Sequence, residues 1–185
     1  YRTATERHGR DLRVFDPAVL PFRLFASPRR EGTPVLLSRI DHVGIAVVNL
    51  EEAIERYRSA FGLEVTAVES NDLQGVREAM LRLGPSVLDV VGPDADGLAS
   101  SYVQLLEPLG PDTPVGKFLA RRGEGLHHVG YAVDDVRLAM ETLAAQGVRM
   151  LDSQPRHGSL GASIAFAHPK DLSGVLTELV QAARG

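Results

Sequence analysis

A chain of 185 residues with 44% hydrophobic content can bury one sizeable core, shared either by one domain or by two half-domains. Its net charge is −4; the first 35 residues hold seven Arg against four acids, so the remainder carries −7, and such a body has no electrostatic footprint for nucleic acid. No apolar run reaches the length of a membrane span, and the absence of cysteine excludes disulfides and thiolate sites, so any metal must be held by N and O ligands and the expected location is the cytoplasm.

Residues 1–37 read as an N-terminal arm. They contain Pro17, Pro28, Pro34 and an apolar stretch from Val19 to Phe25. Two readings stay open: an arm that docks on the body or a neighbouring subunit, or an upstream segment with no role. The body, by contrast, uses one segment twice. Asp41-His42-Val43-Gly44-Ile45-Ala46-Val47 returns as His127-His128-Val129-Gly130-Tyr131-Ala132-Val133, and the flanking sequence repeats with it. An internal repeat of this kind makes the body two copies of one unit.

The first copy spans residues 38–107. Alternation over 38–48 predicts a strand with His42, Gly44 and Ala46 on one face. Asn49 is a helix N-cap with Glu52 three residues on; Leu50, Ile54, Tyr57 and Phe61 follow at helical spacing, and Gly62 closes the helix. Strands are expected at 63–71, 75–84 and 100–107. Between the last two, residues 85–99 form a long loop, with a short strand possible in sequence terms at 87–91. Residues 108–123 link the copies, and Thr113-Pro114 starts a short helix there. The second copy spans 124–185: a strand at 125–133, a helix capped by Asp134 and ended by Gly147, then strands at 148–152, 161–167 and 174–181. The expected fold is α+β, two tandem βαβββ modules in a curved eight-stranded mixed sheet, with helices outside and a metal-containing cavity inside.

The fourth strand of each copy carries a polar residue on an apolar face: Gln104 between Tyr102 and Leu106, and Glu178 between Leu176 and Val180. Burying such a group without a partner is costly. Facing solvent from an edge strand is the plain alternative for either one alone. Their matching places in the repeat favour a joint role with His42 and His128. Two imidazoles, a carboxylate and an amide oxygen suit a divalent metal with room for water. The adjacent His127 matches Asp41 and reads as a structural or supporting group. His168 reads as a turn residue, and His8 and His157 as surface. Glu78 stands between Val76 and Met80 on one strand face; its counterpart in the second copy is Ile164. In a cavity, desolvation would raise its pKa and make it a usable base; on a solvated face it would do nothing.

The two modules with His, Gln, His and Glu resemble the vicinal oxygen chelate superfamily, which includes glyoxalase I and extradiol dioxygenases. More narrowly, residues 38–181 resemble the methylmalonyl-CoA epimerase family. The stretches that carry this are Ile40 to Ala46, Gln74 to Met80, Val115 to Leu119, Gly123 to Val129, and His168 to Asp171 with Gly174 to Val180. The resemblance implies a metal-dependent epimerase that interconverts (2R)- and (2S)-methylmalonyl-CoA by two-base proton abstraction and return. It implies His42, Gln104, His128 and Glu178 as ligands of a divalent ion, with cobalt first and manganese, nickel or zinc as substitutes. It implies Glu78 and Glu178 as the two acid/bases, Gln74 and Ser159 as holders of the substrate carboxylate, and a homodimer. A glyoxalase-type isomerase, another acyl-CoA epimerase, and a metal-free resistance-type binding protein remain as alternatives. The arm and the 85–99 loop depart from the family pattern.

Overall fold

The structure, a computed structural model, describes residues 34–35, 37–84 and 100–183. Of the N-terminal arm at 1–37 only residues 34, 35 and 37 are described; the rest of it, and the 85–99 loop with the short strand expected at 87–91, lie outside the described residues. Eight strands form one mixed sheet. In chain order these are β1 (Arg39–Ala46), β2 (Glu64–Asn71), β3 (Val76–Arg82), β4 (Tyr102–Pro108), β5 (Gly125–Ala132), β6 (Arg156–His157), β7 (Ser163–Ala167) and β8 (Thr177–Gln181). Helices α1 (Leu50–Phe61), α2 (Pro114–Arg122) and α3 (Val136–Ala145) connect them. Across the sheet the order is β2-β3-β4-β1-β5-β8-β7-β6. This order is the same read outward from either side of the β1·β5 pair, as a quasi-two-fold repeat requires.

The sequence sets these elements locally. The Asn49 side chain accepts from Glu52 N and donates to the Glu52 carboxylate, which fixes the first turn of α1. Gly62, at φ 68, ends α1 in a left-handed conformation. Residues that alternate along each strand then divide the sheet into two faces. The outer face packs under the helices: Val47, Leu50, Ala53, Ala79, Leu81 and Leu105 form one cluster. Val133, Val136, Ala139, Met140, Ala165 and Leu179 form its counterpart, with Val35 packed against it. The inner face carries His42, Gly44, Gln104, His128, Gly130 and Glu178.

Register shows the equivalence of the two halves. In the parallel β1·β4 pair Gly44 lies opposite Gln104, and in β5·β8 Gly130 lies opposite Glu178. Met80 faces Gln104 across β3·β4, as Phe166 faces Glu178 across β7·β8. One step along, Glu78 pairs with Leu106 and Ile164 with Val180. Glu78 and Ile164 therefore occupy matching places, as alignment of the repeats predicts.

The structure differs from expectation in three places. Asp135, not Asp134, caps α3: its backbone is extended and its side chain accepts from Leu138 N at 2.9 Å. Residues 148–152 are not a strand, since only Met150 bridges to Ala167. The Asp152 carboxylate takes the Phe166 amide at 2.7 Å in place of a ladder carbonyl, and the pairing is resumed only by the two-residue β6. The residues before β7 form a 3-10 turn, Ser159–Gly161, with Leu160 at φ 54.

Candidate active site

His42, His128 and Glu178 are all buried, and their ligand atoms lie within 4.8 Å of one another. His42 Nε2 stands 3.0 Å from His128 Nε2, and Glu178 Oε2 stands 2.7 Å from the first and 3.2 Å from the second. Despite these distances, Glu178 Oε2 has no well-directed hydrogen bond. Three electron-pair donors thus converge on a shared point. Ligands about 2.1 Å from one ion and at right angles to each other would stand about 3 Å apart, so the spacing fits a divalent ion with six ligands.

Gln104 completes the set. Its Nε2 donates to Glu78 Oε2 at 2.7 Å and to Ser159 Oγ at 2.9 Å. Its Oε1 is buried without a partner. An orphaned amide oxygen costs on the order of 1–3 kcal/mol, which a ligand role would offset. The donors present therefore fit a hard or borderline divalent cation.

The ring space for the histidines comes from two glycines. Gly44 lies opposite His128 and Gly130 opposite His42 across β1·β5. A Cβ on Gly130 would sit 2.5 Å from His42 Cε1, and one on Gly44 would be closer still to His128 Cε1. The H-x-G pattern in both copies is the sequence trace of this packing; its meaning needs the register.

Glu78 is 1% exposed. Both its oxygens accept hydrogen bonds, Oε2 from Gln104 and Oε1 from the Ser159 hydroxyl at 2.7 Å. Burial pushes the carboxyl up; the Ser159 bond opposes this, and the charges of Glu69 and Glu178 add to it. Burial opposes charge on Glu178 as well, but the facing imidazoles of His128 and His42 outweigh it and bring that carboxyl down to about 2. The two inner carboxyls are thus pushed in opposite directions, the pattern of a paired acid and base. For His42, burial lowers the ring's pKa, yet Asp41 and Glu178 together raise it to about 9.

These shifts set the pH response of the metal-free chain. Glu178 lies below its ordinary 4.5, so its contribution is present above that pH and is lost as pH falls towards about 2. His42 lies above its ordinary 6.5, so its contribution is present below that pH and is lost as pH rises through about 9. His127, brought down to about 4 chiefly by burial, contributes above its ordinary 6.5 and loses that contribution as pH falls through about 4, so urea midpoints of metal-free protein will be highest near 6.5 and fall on both sides. A flat profile would contradict the coupling.

Two cavities flank the cluster. One, of about 220 Å³, is lined by His42, Glu178, Met80, Tyr102, Ser159 and Ile164. The other, of about 330 Å³, is lined by His128, His127, Gln74, Leu106, Phe166 and Arg156. The structure thus gathers His42, Gln104, His128, Glu178, Glu78 and Ser159. Gln74 stands apart on the rim of the larger cavity, where its amide donates to the His157 carbonyl at 3.3 Å. Asp41 was not singled out by sequence, although it lies 3.0 Å from His42 Nδ1 and pairs with Arg39. The repeat held the signal, because Asp41 precedes the first ligand histidine as His127 precedes the second.

The chain belongs to the Glyoxalase/Bleomycin resistance protein/Dioxygenase superfamily, whose family model matches residues 41–166. Among its relatives is the Ethylmalonyl-CoA/methylmalonyl-CoA epimerase of Cereibacter sphaeroides, 34% identical over 148 residues, 79% of this chain and 99% of that protein. The mitochondrial methylmalonyl-CoA epimerase of Dictyostelium discoideum is 33% identical over 144 residues, 77% of this chain and 78% of that one. A solved variant of the Streptomyces coelicolor methylmalonyl-CoA epimerase, in complex with 2-nitronate-propionyl-CoA, is 46% identical with a TM-score of 0.72. That match covers 80% of this chain and all of the other.

Proposed function

We propose that this chain is an epimerase that interconverts (2R)- and (2S)-methylmalonyl-CoA. The observation that carries this reading is the buried His42–His128–Glu178 cluster beside Glu78, on a fold whose close relatives are epimerases of that substrate. His42, Gln104, His128 and Glu178 would hold a divalent ion. When bound, that ion supplies Lewis-acid stabilisation for charge developing on the thioester oxygen, worth several kcal/mol. Cobalt is the proposed metal, with manganese, nickel or zinc able to substitute.

The protein's own groups do the proton chemistry. Glu178, held ionised by the imidazoles, takes the α-proton of one enantiomer. Glu78, raised by burial so that it can carry a proton, returns one to the other face, and the roles reverse for the reverse reaction. Ser159 and Gln104 hold the Glu78 carboxylate in place, so it needs no rearrangement to react. Ser159 and Gln74 are the proposed contacts for the substrate carboxylate. The apolar walls, Leu106, Phe166, Val76 and Met80, keep water from the exchanging proton. The proposed assembly is a homodimer in the cytoplasm, checked by sedimentation and by cell fractionation. Among the described residues no helix is long and apolar enough to cross a membrane.

The test is α-proton exchange in D2O, followed by NMR together with stereochemistry. Exchange with racemisation of methylmalonyl-CoA is expected, slowed strongly by a chelator and restored by Co2+. Metal-loaded protein that exchanges nothing would overturn the reading. Ethylmalonyl-CoA belongs in the same series, because the Cereibacter relative is named for both acyl chains.

A further inference from the structure

Each ligand histidine is preceded in sequence by a residue whose side chain reaches back to that histidine's other ring nitrogen. Asp41 Oδ1 lies 3.0 Å from His42 Nδ1. His127 Nδ1 lies 3.0 Å from His128 Nδ1. The two contacts are equivalent under the quasi-two-fold relation, since β1 and β5 pair with His42 opposite Gly130 and Gly44 opposite His128. Successive strand residues usually point to opposite faces. Here the rings bend round to meet, and His127 and His128 stand edge to face with centroids 5.3 Å apart.

A histidine that ligates through Nε2 must carry its proton on Nδ1, and that proton needs an acceptor to fix the tautomer and the ring plane. We infer that Asp41 and His127 are a matched pair of positioning residues that hold His42 and His128 as Nδ1–H, Nε2-ligating imidazoles, and that Asp41 is the stronger of the two. This rests on the metal reading of the site given above.

The two halves do the same task with different chemistry. Asp41 is an anionic acceptor, and it is itself locked: Arg39 Nη2 donates to Asp41 Oδ2 at 2.7 Å, leaving Oδ1 for the histidine. A carboxylate acceptor raises the basicity of the ring it holds and makes it the better donor to a cation. His127 offers only an imidazole lone pair. Its ring is held edge to face against Phe118, with centroids 5.1 Å apart, and it looks into the larger cavity. Asp41 lines the smaller cavity as His127 lines the larger, so the two supports differ in charge and not in access, and His42 is the more tightly held ligand. Neither Asp41 nor His127 touches the converging donors themselves, so both act only through their histidines.

The test is metal affinity by chelator competition with Co2+, on the wild-type chain and on Asp41→Ala, Asp41→Asn, His127→Phe and His127→Gln. Loss of an orienting partner of this kind weakens metal binding by about 10–100-fold. Asp41→Ala and His127→Phe are expected to fall in that range, with the Asp41 variant the weaker binder. Asn and Gln keep one acceptor oxygen and will recover part of the loss, less at position 41 where the charge and the second acceptor for Arg39 are gone, a graded recovery that a purely structural role would not require. A second readout uses wild type alone: zinc-loaded, 15N-labelled protein will show two downfield, slowly exchanging Nδ1–H protons, from His42 and His128. Wild-type protein that binds no divalent ion overturns the metal reading together with this inference. Normal wild-type affinity with all four variants within about twofold of it overturns this inference alone, as do Nδ1–H protons that exchange as fast as those of a free imidazole.

Discussion

Replacing Glu78 by Gln will lower epimerisation by about 10²–10⁴-fold while the chain still folds. The substitution keeps shape and volume in a place that is 1% exposed, so packing against Val76 and Met80 is preserved. It removes the ability to take a proton. It also spoils one hydrogen bond, because both Glu78 oxygens now accept, from Gln104 Nε2 and from Ser159 Oγ, and a carboxamide has only one acceptor atom. Ser159 can turn its hydroxyl to accept from the new amide, so a modest stability cost is expected. The stereochemistry of exchange is the sharper readout. In D2O the enantiomer whose α-proton faces Glu178 should still lose and regain hydrogen on one face, with retention. The other enantiomer should become inert. Exchange would then be uncoupled from inversion, which only a two-base site predicts. A Glu78→Gln protein that racemises at the parent rate would remove Glu78 from the chemistry.

The reason Glu78 could be singled out beforehand is that it breaks a repeat. A carboxylate in one copy where the other has Ile164 cannot be explained by the shared fold, and the register places the two at matching positions. The histidines and the Gln104/Glu178 pair were legible for the opposite reason: they obey the repeat. The sheet followed from alternation, since a two-residue period puts His42, Gly44 and Ala46 on one face whatever the partners are. What escaped depended on contacts between distant residues. Ser159 reaches Glu78 across 81 positions, from a 3-10 turn that replaces the expected start of a strand. The expected strand at 148–152 fails because a side chain, Asp152, takes an amide that a backbone carbonyl would have taken. Neither event has a periodic signature. The Asp41–His42 contact was hidden differently, because a strand period assigns neighbours to opposite faces and so argues against it.

The second large effect is expected from the smallest change, Gly130→Ala. Gly130 has β1 on one side, where it faces His42, and β8 on the other, where it faces Glu178. Its backbone is fixed by both ladders and cannot retreat. The added methyl would lie 2.5 Å from His42 Cε1, 2.7 Å from Nδ1 and 2.9 Å from Nε2, so it meets the face of the ring rather than a flexible tip. The ring must swing away, which breaks the Asp41 contact and withdraws Nε2 from Glu178 and His128 together. Overpacking alone costs about 1–3 kcal/mol of stability. Metal affinity should fall by more than the roughly 10–100-fold expected when only an outer contact is lost, because here a ligand itself is displaced. Gly44→Ala should behave alike through His128, as the quasi-symmetry requires. Gly110→Ala is the control: a Cβ there meets nothing within 4 Å, and metal binding should match the parent. Calorimetric metal titrations of the three variants, each with a thermal melt, separate the two contributions. If Gly130→Ala lost stability but kept parent metal affinity, His42 would not be a ligand and its conformation would serve packing alone. If it lost metal with little loss of stability, the ring has an alternative pocket, and the glycine is there for the site rather than for the fold.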